Sequence, residues 1–146
     1  EEQAHIMLRK TAHQIEGHAE FRAGLERHGE LSRTQAERLK ACLERLGEST
    51  STIKTAAGQF MAFAQTMSGY VVGDEPVKAI LAVSSFAQME ISSYRILTAA
   101  ASVAGMEDVT SVCRTMLTEE LDFSAWLNQQ IEPVTRTFLT AQRAHA

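Results

Sequence analysis

A chain of 146 residues with 45% hydrophobic residues has the size and composition of one globular domain. Its net charge of −4 gives no general attraction to nucleic acid or anionic membranes, and no apolar run reaches the ~18 residues of a membrane span. Two prolines, eight glycines and no sustained polar–apolar alternation predict long helices and no strands. Without a signal-like start, residues 1–146 are expected to form one all-α domain in the cytoplasm.

Apolar residues recur at helical spacing in five segments. In chain order, these segments cover about residues 1–16, 20–46, 51–70, 75–103 and 107–141. Three of them end at glycines suited to a helix C-terminus: Gly17, Gly47 and Gly105. Because the connections within the first and last pairs are short, each pair is antiparallel, and the middle segment links the two pairs. The pattern predicts a ferritin-like four-helix bundle with an additional helical crossover between its second and third main helices.

The second predicted helix carries a seam that is apolar at its ends and polar in its middle. Steps of four and three residues along this seam select Phe21, Leu25, His28, Ser32, Gln35, Leu39, Cys42 and Leu46. A polar interruption in a buried seam indicates either a buried site or a polar layer that sets the helix register. The opposite face is a run of mixed charge that includes Arg33 and Arg38, and it is expected to be solvated.

Polar residues on the main helices fall at one depth in the predicted bundle. Ser32, Glu90 and Glu120 each lie about fourteen to fifteen residues from a tip, which is roughly 21–23 Å at the helical rise. Glu1 falls opposite Gln35 in the same layer. Since di-iron and di-manganese bundles use carboxylates and imidazoles, the candidate metal ligands are Glu1, His28, Glu90 and Glu120.

This set is too small for a pair of metal ions. Bundles with two metals carry a Glu-x-x-His pair on each of two helices, yet Leu31 follows His28 and Phe123 follows Glu120 at that spacing. A two-metal centre would be short of about two carboxylates. If no metal is bound, the buried glutamates need hydrogen-bond donors. The candidate donors are His28, Ser32, Gln35 and Tyr94.

Four short motifs carry a family resemblance. They are residues 1–3 (EEQ), 25–39 (LERHGELSRTQAERL), 87–94 (AQMEISSY) and 119–127 (EELDFSAWL). The second motif resembles the H-L-E-E-T-x-x-Q-x-E-R-L signature of the YciE/YciF family, ferritin-like bacterial proteins associated with stress. The others resemble its E-x-Q, E-H-Y-E-I-A-A-Y and E-E-x-x-x-D-x-x-L motifs. The resemblance spans nearly the whole chain and implies a ferritin-like fold, dimers and a di-metal site, without supplying a biochemical activity.

The chain departs from the family pattern at its acidic positions. Leu31, Ala87 and Ser124 stand where the pattern has acidic residues, and Gln88 replaces the histidine of the third-helix motif. Because the residues at all three acidic positions are neutral in this chain, they indicate that the di-metal site has degenerated.

The sequence therefore predicts a non-catalytic, homodimeric ferritin-like bundle with a structural or stress-associated role and no metal cofactor. One alternative is an iron- or manganese-binding, oxidase-like protein that uses the four candidate ligands. An apolar strip on the crossover, formed by Phe60, Phe63 and Met67, is a candidate surface for the second subunit of the homodimer. A second alternative is an adaptor that binds a partner helix through this same crossover face.

No catalytic residue is predicted, because the chain has no phosphate-binding loop, serine-nucleophile elbow or Cys/His nucleophile pair. Cys42 and Cys113 lack a metal-binding spacing and fall on apolar seams, so both are expected to be buried. Whether they contact each other is left open.

Overall fold

The computed structural model describes residues 5, 6, 8, 9, 12, 17–46 and 76–144. These residues form three long helices, α1 (Ala19–Leu46), α2 (Pro76–Val103) and α3 (Glu107–Ala144). Residues 5, 6, 8, 9 and 12 are also helical. The all-α prediction is confirmed, and the described ranges contain no strand. The predicted crossover and most of the first predicted helix lie outside the described residues.

The helix boundaries follow from local chemistry. Gly105 has φ +70°, a left-handed conformation that glycine adopts without a Cβ clash. Its N–H donates to the carbonyl of Ser102 at 3.1 Å, and the N–H of Met106 donates to the carbonyl of Ala101 at 2.9 Å. These two bonds form a Schellman motif that ends α2 and turns the chain into α3. Gly17, with φ +79°, takes the same conformation just before α1.

Among the described residues, the interior contains two apolar clusters separated by a polar layer. The larger cluster is formed by Leu8, Ala12, Phe21, Leu25, Ala79, Ile80, Val83, Phe86, Ala87, Phe123, Leu127 and Val134. The smaller cluster, nearer the turn between α2 and α3, is formed by Tyr94, Cys113 and Met116, with Leu39 packed against it. On each helix the polar layer falls between residues of the two clusters, so apolar packing shields it on both sides.

The predicted seam of α1 is largely confirmed. Phe21, Leu25, His28, Ser32, Gln35 and Cys42 are buried, and Leu39 is half-buried. By contrast, α2 presents large apolar side chains outward: Leu81, Ile96 and Val103 are exposed. Within the described helices, no stretch is both long and apolar enough to cross a lipid bilayer.

Cys42 and Cys113 are both buried, as predicted. Burial, with a smaller contribution from the neighbouring Cys42, raises the pKa of Cys113 from 9.0 to about 11. The thiolate is the form of cysteine that attacks thiol reagents, so a raised pKa lowers the reactive fraction, although it also makes each thiolate more nucleophilic.

We therefore expect Cys113 in the folded protein to react with iodoacetamide at pH 8 at least about tenfold more slowly than in the unfolded chain. The rate should rise with pH until the pH passes the raised pKa. Timed labelling followed by peptide mass spectrometry measures this rate, and the urea-unfolded chain is the control. Equal rates in the folded and unfolded chains at pH 8 would contradict the prediction.

Candidate metal centre

Three predicted ligands from three different helices meet in the polar layer. His28 comes from α1, Glu90 from α2 and Glu120 from α3, and their exposed fractions are 5%, 2% and 0%. One ligand atom from each residue lies within 4.8 Å of the other two. The structure thus brings together three of the four candidate ligands, whereas Glu1 lies outside the described residues.

The contact between His28 and Glu120 joins α1 to α3. Nε2 of His28 lies 3.2 Å from Oε2 of Glu120, within hydrogen-bond distance. The ring of Phe123 stacks on the imidazole with a centroid distance of 3.4 Å and an interplanar angle of 10°. Because Phe123 is held in the larger apolar cluster, its ring restricts the plane of the imidazole. Sequence reasoning missed this contact, although Phe123 lies one helical turn after Glu120.

Glu120 is incompletely satisfied by its neighbours. Its Oε1 atom is buried and has no hydrogen-bond partner among the described residues. A buried carboxylate oxygen without a donor is energetically costly, because its hydration is lost and not replaced. Within this cluster two carboxylates also outnumber one imidazole. A bound cation would satisfy both the oxygen and the charge.

The donor set of this cluster fits a metal ion. Imidazole and carboxylate together suit iron, manganese and zinc, whereas a purely oxygen set favours magnesium or calcium. Two ligand atoms on one such ion lie about 3–3.5 Å apart at ordinary bond lengths. The observed spread of up to 4.8 Å is close enough for small side-chain rotations to place all three residues on one ion.

The neighbouring Glu119 has a different environment. Nε2 of Gln35 donates to its Oε2 at 2.9 Å, and Nη1 of Arg38 donates to Oε1 at 2.8 Å and to Oε2 at 3.0 Å. Both oxygens are therefore occupied, and the charge of Glu119 is neutralised by Arg38. The two consecutive glutamates therefore differ: both oxygens of Glu119 accept hydrogen bonds, whereas Oε1 of Glu120 has no donor within the described ranges.

Two sequence expectations are corrected here. Arg38 does not belong to the solvated face of α1: it is half-buried and bridges to α3, because it follows Gln35 by one turn and its long side chain reaches across. Gln35 and Ser32 do not donate to the buried glutamates of the cluster. The side-chain amide of Gln35 donates a hydrogen bond to Glu119, and the hydroxyl of Ser32 donates one to the backbone carbonyl oxygen of His28 in the same helix. The sequence signal for these contacts was the pair of consecutive glutamates, Glu119 and Glu120, either of which could accept a hydrogen bond from Gln35.

The neutral residues that stand at the acidic and histidine positions of the family motifs have contacts of their own. Nε2 of Gln88 donates to Oγ of Ser124 at 2.7 Å, which joins α2 to α3 next to the cluster. Ala87 is buried in the larger apolar cluster, and Leu31 is half-buried. These positions therefore supply no carboxylate for a second ion.

Two comparisons relate the chain to known proteins. Residues 1–140 match a family described as a domain of unknown function, DUF892. The chain is also similar to a crystal structure of a protein from Xanthomonas campestris pv. campestris, with 28% sequence identity and a TM-score of 0.77. That similarity covers 96% of this chain and 86% of the Xanthomonas chain. Neither description assigns a biochemical activity.

Proposed function

Because this chain belongs to the DUF892 family, whose description assigns no function, we propose a function from its own residues. The protein is a ferritin-like bundle of the YciE/YciF type that binds one divalent cation, iron or manganese, at His28, Glu90 and Glu120. The site corresponds to a two-metal centre that has lost the ligands for its second ion, and its role is structural rather than catalytic.

The observation that carries this proposal is the convergence of three buried ligands from three helices within 4.8 Å. The oxygen of Glu120 that lacks a partner among the described residues supports it, since a cation would provide the missing interaction. A single ion at this point would link α1, α2 and α3, and its binding free energy would add to the stability of the fold. When bound, iron or manganese would also supply one-electron chemistry.

The neighbouring contacts support one ion rather than two. Glu119 is already bound by Gln35 and Arg38, so recruiting it as a ligand would break a charged pair. Gln88 donates a hydrogen bond to Ser124, and the side chain of Ala87 has no atom that could bind a metal ion. The alternative of a di-metal oxidase would need carboxylates from residues outside the described ranges.

The other expectations for partners remain predictions. A second copy of the chain would find apolar surface at Leu81, Ile96 and Val103 on α2, in keeping with the expected homodimer. The adaptor alternative depends on Phe60, Phe63 and Met67, which lie outside the described residues.

Titration of the chelator-treated chain with Fe(II) under argon, or with Mn(II), tests the proposal. We expect about one ion per chain by calorimetry and metal analysis. Glu120→Gln should weaken binding by about 100-fold or more, since loss of an outer contact alone costs 10- to 100-fold. The amide preserves the shape of the side chain but carries no negative charge.

The matched control is Asp122→Asn, which removes an exposed carboxylate from the same helix and should leave the affinity unchanged. Circular dichroism of each variant shows whether it is folded. Failure to bind either metal, or equal affinity in Glu120→Gln and the parent, would overturn the proposal and favour the prediction of no cofactor. Two ions per chain would favour the di-metal alternative.

A further inference from the structure

A row of stacked aromatic rings leads from the cluster towards the surface. The imidazole of His28 stacks on Phe123, with centroids 3.4 Å apart. Phe123 in turn stacks on Trp126, with centroids 5.7 Å apart and an interplanar angle of 17°. Phe123 is buried, whereas Trp126 is half-buried. The row therefore connects the most buried part of the molecule with a ring that reaches solvent.

The row is held by regular secondary structure. Phe123 and Trp126 follow Glu120 by three and six residues, so the carboxylate and both rings lie along one side of α3. Phe21 on α1 also stacks on the indole, with ring centroids 5.9 Å apart. Gly24 on α1 leaves space for the indole, because a Cβ at this position would lie 2.1 Å from two of its ring carbons. The geometry of the row is thus fixed by two helices.

Stacked rings of this kind are suited to single-electron transfer. Among the rings of the row, the indole of Trp126 is the most easily oxidised by one electron. The π system of Phe123 lies between the indole and the imidazole and couples them electronically. An imidazole bound to a metal shares electron density with the ion, so the row would end on the ion itself.

We propose that Phe123 and Trp126 form an electron path between the surface and a redox-active ion bound by His28, Glu90 and Glu120. This inference rests on the proposed metal site. A one-electron oxidant at the surface would take an electron from the indole of Trp126. Phe123 would then carry one electron to the indole radical from a ferrous ion held by His28, Glu90 and Glu120, which would leave that ion ferric. One electron leaves the ion and one reaches the oxidant; any proton lost by the indole radical is regained from solvent when the ring is reduced.

Trp126 is the single tryptophan of the chain, so a tryptophan radical can be assigned without ambiguity. The oxidant in the experiment is tris-bipyridine ruthenium(III). It is generated in the presence of the full chain by flash photolysis of the ruthenium(II) complex under argon, with chloropentaamminecobalt(III) as the irreversible acceptor of the electron. Transient absorption follows the tryptophan radical with and without bound Fe(II). Trp126→Phe should abolish the radical signal and thereby confirm its assignment.

We expect bound Fe(II) to shorten the lifetime of the radical by about tenfold or more. Phe123→Leu, which removes the bridging ring, should restore a long lifetime; because Phe123 also packs on the imidazole of His28, its Fe(II) affinity is measured by calorimetry and the lifetimes are compared at saturating Fe(II). The control is Phe86→Leu, which removes a ring from the same apolar cluster but from outside the row, and it should leave the fast decay unchanged.

The outcomes separate this inference from the proposed function. If calorimetry shows that no Fe(II) binds, the metal site itself fails. If Fe(II) binds but the radical lifetime in the parent chain is unaffected, the electron path alone is overturned, and this result requires no variant to fold. Equal decay in the parent and in folded, iron-bound Phe123→Leu also overturns it.

Discussion

The substitution His28→Leu is expected to lower the free energy of unfolding by about 1–3 kcal/mol, the usual loss when a buried polar group is left without its hydrogen-bond partner. His28 and Glu120 are almost completely buried, and the contact between them is 3.2 Å. Leucine would leave the Glu120 carboxylate buried without its imidazole partner. Urea denaturation followed by circular dichroism, with a chelator present to exclude metal binding, measures the loss.

The double variant His28→Leu, Glu120→Leu is the informative control. It removes both polar groups, so most of the lost stability should return, because apolar replacement of a buried pair is often nearly neutral. Arg33→Ala provides a second control: it breaks the exposed pairs of Arg33 with Glu30 and Glu37 on the same helix and should cost less than about 1 kcal/mol. A double variant as unstable as His28→Leu would mean that packing, rather than the unpaired carboxylate, causes the loss.

The substitution Gly24→Ala is expected to destabilise the fold by about 1–3 kcal/mol, although alanine is the better helix former by about 1 kcal/mol. The added Cβ would lie 2.1 Å from two ring carbons of Trp126. The indole cannot easily retreat, because Phe21 and Phe123 stack against it. Thermal unfolding measures the effect, and the fluorescence of the single tryptophan reports the displacement of the ring.

Gly29→Ala is the matched control in the same helix. The nearest atom to a Cβ there is Cβ of Leu8 at 3.5 Å, an ordinary van der Waals contact. Alanine at position 29 should therefore be neutral or stabilising by about 0.5–1 kcal/mol through its helix propensity. If both alanine variants were equally stable, close packing of Trp126 against α1 would not explain the glycine at position 24.

The helices were predictable because their signals are local. Each described helix begins and ends within about three residues of its predicted bounds, and Gly105 has the left-handed conformation expected of a helix end. The depth of the polar layer was also predictable. A helix rises by a constant amount per residue, so counting from a tip places Glu90 and Glu120 at one height without knowledge of the packing.

The sequence alone thus determined the all-α class, the long helices and the level at which three candidate ligands would meet. Only the tertiary structure decided which neighbour each polar group would contact. The pairing of Arg38 with Glu119, the bond from Gln88 to Ser124 and the stacking of Phe123 on His28 depend on how the helices are rotated against each other. Helical periodicity gives the face of a residue on its own helix, whereas contacts between helices also require the distances and side-chain rotamers that packing selects.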